Sequence, residues 1–291
     1  MKKYLLITLL LIALLSVVAC ISSIPSLNSS VHPSPASGRM TVHFINVWMG
    51  ESILIQSPSG KTMLIDAGDE YHGKVVSSYL KNLSITSLDI VVVSYPSDAY
   101  IGGMITILQD FTVREFIDSG HAFDARPDNM YTRMRSLIDQ KKIPFRTVKT
   151  GDTIAFDPAI TINVLNPQAA ISNYPGDDSV VLMMTYDNTS FLFMGDVNGK
   201  RERDLTESVG QADILKVGSY GDSGASGPVF LSKVKPGISV IAAGNAPEYN
   251  VPAVETIQNL KQSGSAVYIT YLNGTVKVTT DGQTYSASSE K

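Results

Sequence analysis

Val42-His43-Phe44-Ile45-Asn46-Val47, Gly50-Glu51-Ser52-Ile53-Leu54-Ile55 and Lys61-Thr62-Met63-Leu64-Ile65-Asp66-Ala67-Gly68 are the stretches on which the fold turns. Each alternates or runs apolar over a strand's length, which predicts three short strands: Met40 to Val47, Ser52 to Gln56 and Met63 to Asp66. Ser59-Gly60 supplies the turn between the second and third. Downstream the period changes. Val75, Val76, Tyr79, Leu80 and Leu83 share one face of a helix predicted over Lys74 to Leu83. Leu88 to Val93 is a continuous apolar run, β-branched at its end, as expected of a strand covered on both faces. A second helix is predicted after Gly102-Gly103, through Met104, Ile105 and Leu108.

The remainder keeps mixing the two periods. Strands are predicted at Val113 to Ile117, Arg146 to Lys149, Ile160 to Leu165, Val180 to Tyr186, Ser190 to Met194, Ile214 to Val217, Ser239 to Ala242, Val267 to Thr270 and Val276 to Thr279. Helices are predicted at Met130 to Lys141, Arg201 to Ser208 and Ala253 to Lys261. Asp281-Gly282 is a turn dipeptide, and Asn273-Gly274 reads as a type I′ hairpin turn. Many strands with helices set between them fit two packed sheets flanked by helices. No internal repeat and no second linker is visible, so one domain is expected over residues 40–285.

The N-terminal twenty residues have the order of an export signal. Lys2 and Lys3 are followed by an apolar run from Tyr4 to Ala19 and then by Val17-Val18-Ala19-Cys20 at the junction. The junction resembles a lipobox, which makes Cys20, the sole cysteine, a candidate for lipidation. An uncleaved anchor and ordinary secretion are the alternatives. A membrane partner through this lipid or anchor, on the outer face of the cell membrane, is the corresponding expectation. Residues 21–39 are rich in Pro and Ser without apolar periodicity, the composition of a tether.

The 291 residues are 44% hydrophobic and 17% charged, enough for a core and too few charges for a disordered chain. The net charge is −4, and it becomes −6 without Lys2 and Lys3. Nucleic acid is therefore disfavoured as a partner, since phosphate backbones require a basic face.

The opening stretches, read with four later ones, resemble the metallo-β-lactamase-fold domains of the ComEC type, related to the exported part of a DNA-uptake channel protein. The later ones are Leu88 to Ser94 with Ile101-Gly102-Gly103-Met104; Asp178-Ser179-Val180-Val181-Leu182 with Phe191-Leu192-Phe193-Met194-Gly195-Asp196; Ile214-Leu215-Lys216-Val217-Gly218; and Pro252 to Asn259 with Gly274-Thr275 and Thr279 to Gly282. The resemblance covers nearly all of Met40 to Gly282 and implies a four-layer αββα sandwich. It also implies two divalent ions, usually zinc, which deprotonate a bridging water for attack on an ester, amide or phosphodiester.

The ligand positions depart from that pattern. Where the family has His-x-His-x-Asp-His, this sequence has Tyr95-Pro96-Ser97-Asp98-Ala99-Tyr100. Gly-His-His-Gly appears as Gly218-Ser219-Tyr220-Gly221, and Tyr-Gly-His-Pro as Tyr249-Asn250-Val251-Pro252. The opening Gly-Gln-Gly-Asp becomes Trp48-Met49-Gly50-Glu51. Only the bridging Asp196 and the structural Asp66 stand where the family has them. His32 falls in the tether, His43 in a strand, and His72 and His121 in loops, all read as solvated or hydrogen-bonded surface histidines away from the ligand positions. No cofactor is therefore expected, and a non-catalytic binding or scaffold protein follows. A hydrolase with replacement ligands and an accessory of DNA uptake are the alternatives.

Asp66, Tyr95, Asp98, Tyr100, Asp196, Ser219, Tyr220 and Tyr249 are the candidate site, expected around one cleft. Three readings stand open for it. The tyrosines fill the space that imidazoles and ions would take; they line a cleft for a small molecule, sugar or peptide, the carboxylates favouring a cationic group; or phenolate and carboxylate hold a hard cation. Gly221-Asp222-Ser223-Gly224-Ala225-Ser226 has the look of a serine-nucleophile loop but no histidine near it, so it reads as a glycine-rich loop. Asn28, Asn82, Asn188 and Asn273 begin glycosylation sequons. Trp48 is read either as a cover of the cleft or as packing.

Overall fold

The structure, a computed structural model, describes residues 38–121, 128–168, 172 and 175–291. The export segment, Cys20, His32 and the tether up to residue 37 lie outside the described residues. Strands β1 (Met40–Phe44), β2 (Ile53–Gln56), β3 (Thr62–Ile65), β4 (Ser87–Leu88), β5 (Ile90–Val92), β6 (Thr112–Val113), β7 (Phe116–Asp118) and β8 (Phe145–Thr147) fill the first part of the domain. β9 (Ile160–Asn166), β10 (Val181–Tyr186), β11 (Thr189–Phe193), β12 (Ile214–Lys216), β13 (Ile238–Ile241), β14 (Ala266–Ile269), β15 (Val276–Thr280) and β16 (Tyr285–Ser289) follow. Among the described residues they form an eight-stranded sheet ordered β16-β15-β1-β2-β3-β5-β7-β8, a six-stranded sheet ordered β14-β13-β12-β11-β10-β9, and the small pair β4-β6.

Side-chain alternation explains why both sheets are covered on both faces. Ile53, Ile55, Met63, Ile65, Ile90 and Val92 point into a core between the sheets, where they meet Val164, Leu182, Met184, Phe191 and Phe193 from the other sheet. The intervening Leu54, Leu64, Val91 and Val93 point outward, against helices α1 (Gly73–Asn82), α3 (Met104–Asp110) and α4 (Met130–Gln140). On the far side Val181, Leu192 and Leu215 meet α5 (Gly199–Leu205), α6 (Pro228–Val234) and α7 (Val254–Gln262). The result is the expected αββα order of layers. A side chain buried on either face of such a strand contributes about 1.5–3 kcal/mol, so each continuous apolar run is stabilised from both sides.

Several details depart from the sequence reading; the runs Leu88 to Val93 and Val113 to Ile117, each read as one strand, are each divided between the eight-stranded sheet and the β4-β6 pair. His43 is buried at 2% exposure rather than solvated, because alternation turns it away from Val42 and Phe44 into the helix-covered face. There its Nδ1 meets the Tyr79 hydroxyl at 2.9 Å and its Nε2 the Gln56 Oε1 at 3.0 Å. Burial lowers its pKa to about 4, so the ring is neutral. Asn273-Gly274 is no hairpin turn: β14 and β15 belong to different sheets. Thr270–Asn273 is instead a short helix, α8, and Asn273 Oδ1 accepts the Ile269 N–H at 2.8 Å. Helix α6 occupies a stretch with too few residues to show a period, and β16 lies past the last expected strand, paired antiparallel with β15.

Candidate functional site

The candidate residues gather where several strands end at their carboxyl ends, the usual place for a site in such sheets. β3 and β5 are parallel, so Asp66 and Ser94 emerge side by side. Asp66 follows Ile65 in the left-handed region at φ 56, which turns its carboxylate back into the protein. Ser94 donates its N–H to Asp66 Oδ1 at 2.8 Å and its hydroxyl to Asp66 Oδ2. Asp66 is 0% exposed, and burial holds its pKa well above the usual carboxylate range despite these donors. Its role is to lock two strand ends together.

β11 and β12, parallel in the other sheet, deliver Asp196 and Ser219 in the same way. Asp196 donates its N–H to Ser179 Oγ at 3.2 Å. Its Oδ1 accepts the Tyr100 hydroxyl at 2.7 Å. Desolvation raises the Asp196 pKa to about 6, with Asp222 adding to the rise and the Tyr100 and Ser219 hydrogen bonds opposing it. Tyr100 reaches this carboxylate from the short helix α2 (Asp98–Ile101) and is itself only 1% exposed. Tyr95 meets it edge-on at 5.3 Å between centroids, and Tyr220 meets it tilted at 5.6 Å. Ser219 and Tyr220 sit at φ 44 and φ 53, a strained turn that costs of order 1–3 kcal/mol per residue and aims the Tyr220 ring at Tyr100.

Asp66, Tyr95, Tyr100, Asp196, Ser219 and Tyr220 thus form one cluster. Asp98 and Tyr249 take other places: Asp98 is exposed in the first turn of α2, and Tyr249 is 70% exposed on the turn Pro247–Tyr249. His72 pairs with Asp69 at 2.8 Å, and His121 lies 3.2 Å from Asp178.

Two buried charged groups beside the cluster had no signal in the sequence, because their partners are far along the chain. Lys216, on β12, forms an ion pair with Glu51 and donates to Gly195 O at 2.8 Å. Burial pulls the Lys216 pKa down to about 7. Glu202 of α5 is 2% exposed and accepts the N–H groups of Ser226 and Gly227 at 2.6 and 2.9 Å, at the start of α6. Desolvation lifts its pKa to about 7.

The donors in the cluster do not fit a pair of divalent ions. The converging donors are phenols and a serine hydroxyl around two carboxylates, with no imidazole among them, and burial raises the pKa values of the phenols, Tyr95 to about 12. Asp196 Oδ1 is already occupied by a hydrogen bond from one of them. Among the described residues, no group of three or more His, Cys, Asp or Glu side chains converges as a metal site would.

The layers are those of the metallo-β-lactamase fold. The solved structure of zinc-bound PqqB from Methylobacterium extorquens superposes with a TM-score of 0.55, at 10% identity, over 79% of this chain and 97% of that one. Igni18, a metallo hydrolase from the archaeon Ignicoccus hospitalis, superposes with a TM-score of 0.52, at 14% identity, over 81% of this chain and 98% of that one. These likenesses establish the fold alone.

In sequence the chain is similar to ComE operon protein 3 of Bacillus subtilis, 24% identical over 261 residues and 83% of this chain. It is also similar to Recombination protein 2 of Haemophilus influenzae, 24% identical over 242 residues and 81% of this chain. The chain spans 33% and 28% of those two relatives. No family model matches it. The chain thus has the metallo-β-lactamase fold and is similar in sequence to proteins of the ComEC type.

Proposed function

We propose that this chain is an exported, lipid-anchored member of the metallo-β-lactamase fold that binds or scaffolds rather than hydrolyses. One observation carries the reading. Tyr100, 1% exposed, donates its phenol proton to the bridging aspartate Asp196 at 2.7 Å, in the space where a ligand would meet a metal. A neutral phenol there completes a carboxylate's hydrogen bonding and supplies no negative oxygen for a dication. The anchor is the acylated Cys20 at the end of the Lys2–Ala19 signal, with residues 21–39 as tether. Among the described residues no helix is long and apolar enough to cross a membrane.

Metal content of the purified protein tests this, with and without Asp196→Asn. Zinc, manganese and iron are expected at trace levels in both, with no phosphodiesterase or lactamase turnover. A stoichiometric metal that leaves with Asp196→Asn would overturn it in favour of a hydrolase with replacement ligands. The membrane part is tested by globomycin treatment, expected to accumulate a larger, uncleaved precursor in the membrane fraction, and by Cys20→Ala, expected to abolish incorporation of labelled fatty acid.

A further inference from the structure

The loops around the Tyr100–Asp196 cluster leave two large rings in solvent: Trp48 is 48% exposed and Tyr249 70%. Trp48 is the sole tryptophan of the sequence. Its backbone sits at φ 57, in the left-handed region that bulky side chains avoid. Its ring is seated on Gly244, where an added Cβ would stand 3.0 Å from the ring's Cγ, Cδ1 and Cε2. A glycine is thus required for one side of the indole to lie flat, while nearly half of the residue stays in water. Tyr249 follows in the same loop, on a turn closed by the Ala246–Val251 bridge. The Trp48 loop also rests on α2, since a Cβ at Gly50 would meet Ala99 O at 2.1 Å. The aromatic rim is therefore held against both halves of the site.

The charge of this rim is one-sided. Residues 46–51, 95–100, 218–223 and 244–251 contain no Lys, Arg or His. They carry four carboxylates: Asp98 and Glu248, both exposed, the half-buried Asp222, and Glu51, which is buried and paired with Lys216; Asp196 lies beneath them. An anionic ligand would meet carboxylates and no cation. An ammonium group would meet carboxylates and the negative face of an indole, the strongest of the aromatic cation acceptors.

We propose that this rim binds an organic ammonium cation, with the Trp48 face and the Glu248 and Asp98 carboxylates as its determinants. The proposal rests on the reading that the cluster beneath holds no metal, whose charge would repel such a ligand.

The test is a titration of the full chain with choline, read by the fluorescence of Trp48. Its uncharged isostere 3,3-dimethylbutan-1-ol and the neutral sugar maltose run in parallel. Choline is expected to give a saturable change, with the isostere at least about tenfold weaker. Calorimetry on Trp48→Leu should show the choline heat abolished, and Glu248→Gln, an exposed substitution that spares the fold, should weaken binding about fivefold. Equal responses to choline and the isostere, preference for maltose, or no saturation below about 50 mM would each overturn the proposal. Metal analysis of the same sample separates the failures. A metal-free protein indifferent to choline sinks this inference alone, and a metal-loaded one sinks the reading beneath it.

Discussion

Glu51 and Lys216 meet as an ion pair between the two sheets, each only 1% exposed. Lys216 points inward because β12 alternates, with Ile214 in the inter-sheet core and Leu215 on the helix side. Removing one partner leaves the other buried without its counter-charge. Lys216→Met is therefore expected to destabilise by about 3–5 kcal/mol in urea denaturation, and the double change Glu51→Gln with Lys216→Met to recover most of that loss. A double variant no more stable than the single one would show that the pair's charges are not what the site end depends on.

Buried carboxylates make stability depend on pH. Glu202 rises from 4.5 to about 7 and Asp196 from 3.8 to about 6 on folding, so the folded chain binds more protons than the unfolded one between those values. The stabilisation is complete below about pH 4 and is lost as pH rises through about 6 and 7. Glu202→Gln is expected to flatten this profile by about 2–3 kcal/mol between pH 4 and 8, measured by chemical denaturation at both ends. An unchanged slope would mean that Glu202 titrates normally.

Gly50 lies at φ 120, and a Cβ there would stand 2.1 Å from the Ala99 carbonyl oxygen. Both the backbone angle and the contact oppose a side chain. Gly50→Ala is expected to cost about 2–4 kcal/mol, seen as a lowered Tm, and to shift Trp48 emission because the same loop carries it. A wild-type Tm would show that the loop has room the structure does not give it.

If donor chemistry alone keeps metal out, restoring donors should admit it. The combined variant Tyr95→His, Ser97→His, Ala99→Asp and Tyr100→His, with Asp196 kept, is expected to bind zinc measurably by elemental analysis where the parent chain does not. Failure of the folded variant to take up zinc would move the explanation from the ligands to the shape of the site.

The fold was legible because strands such as Ile53–Gln56 and Thr62–Ile65 are apolar on both faces, and that pattern survives without any site residue. β16 was not, since Tyr285–Ser289 is an edge strand whose side chains mostly face water and so carry no alternation. The Asn273-Gly274 signal was sound chemistry overruled by topology: its asparagine caps a single helical turn. For the site, the motif positions located Tyr100, Asp196, Ser219 and Tyr220. Spacing said nothing of which way Tyr249 or Asp98 would point, nor that Lys216 would find Glu51 across the interface.

Tyr100 belongs at once to the helix-side core and to the hydrogen bond on Asp196. A change there empties packed volume before it creates any new capacity, and truncating a buried aromatic costs about 3–5 kcal/mol. On the reading proposed above, a mutational route from this chain toward an ion-binding one therefore passes through destabilised intermediates until the last ligand is in place. The tyrosine acts as a ratchet: it confines sequence drift at this end of the molecule to the side on which the pocket stays filled.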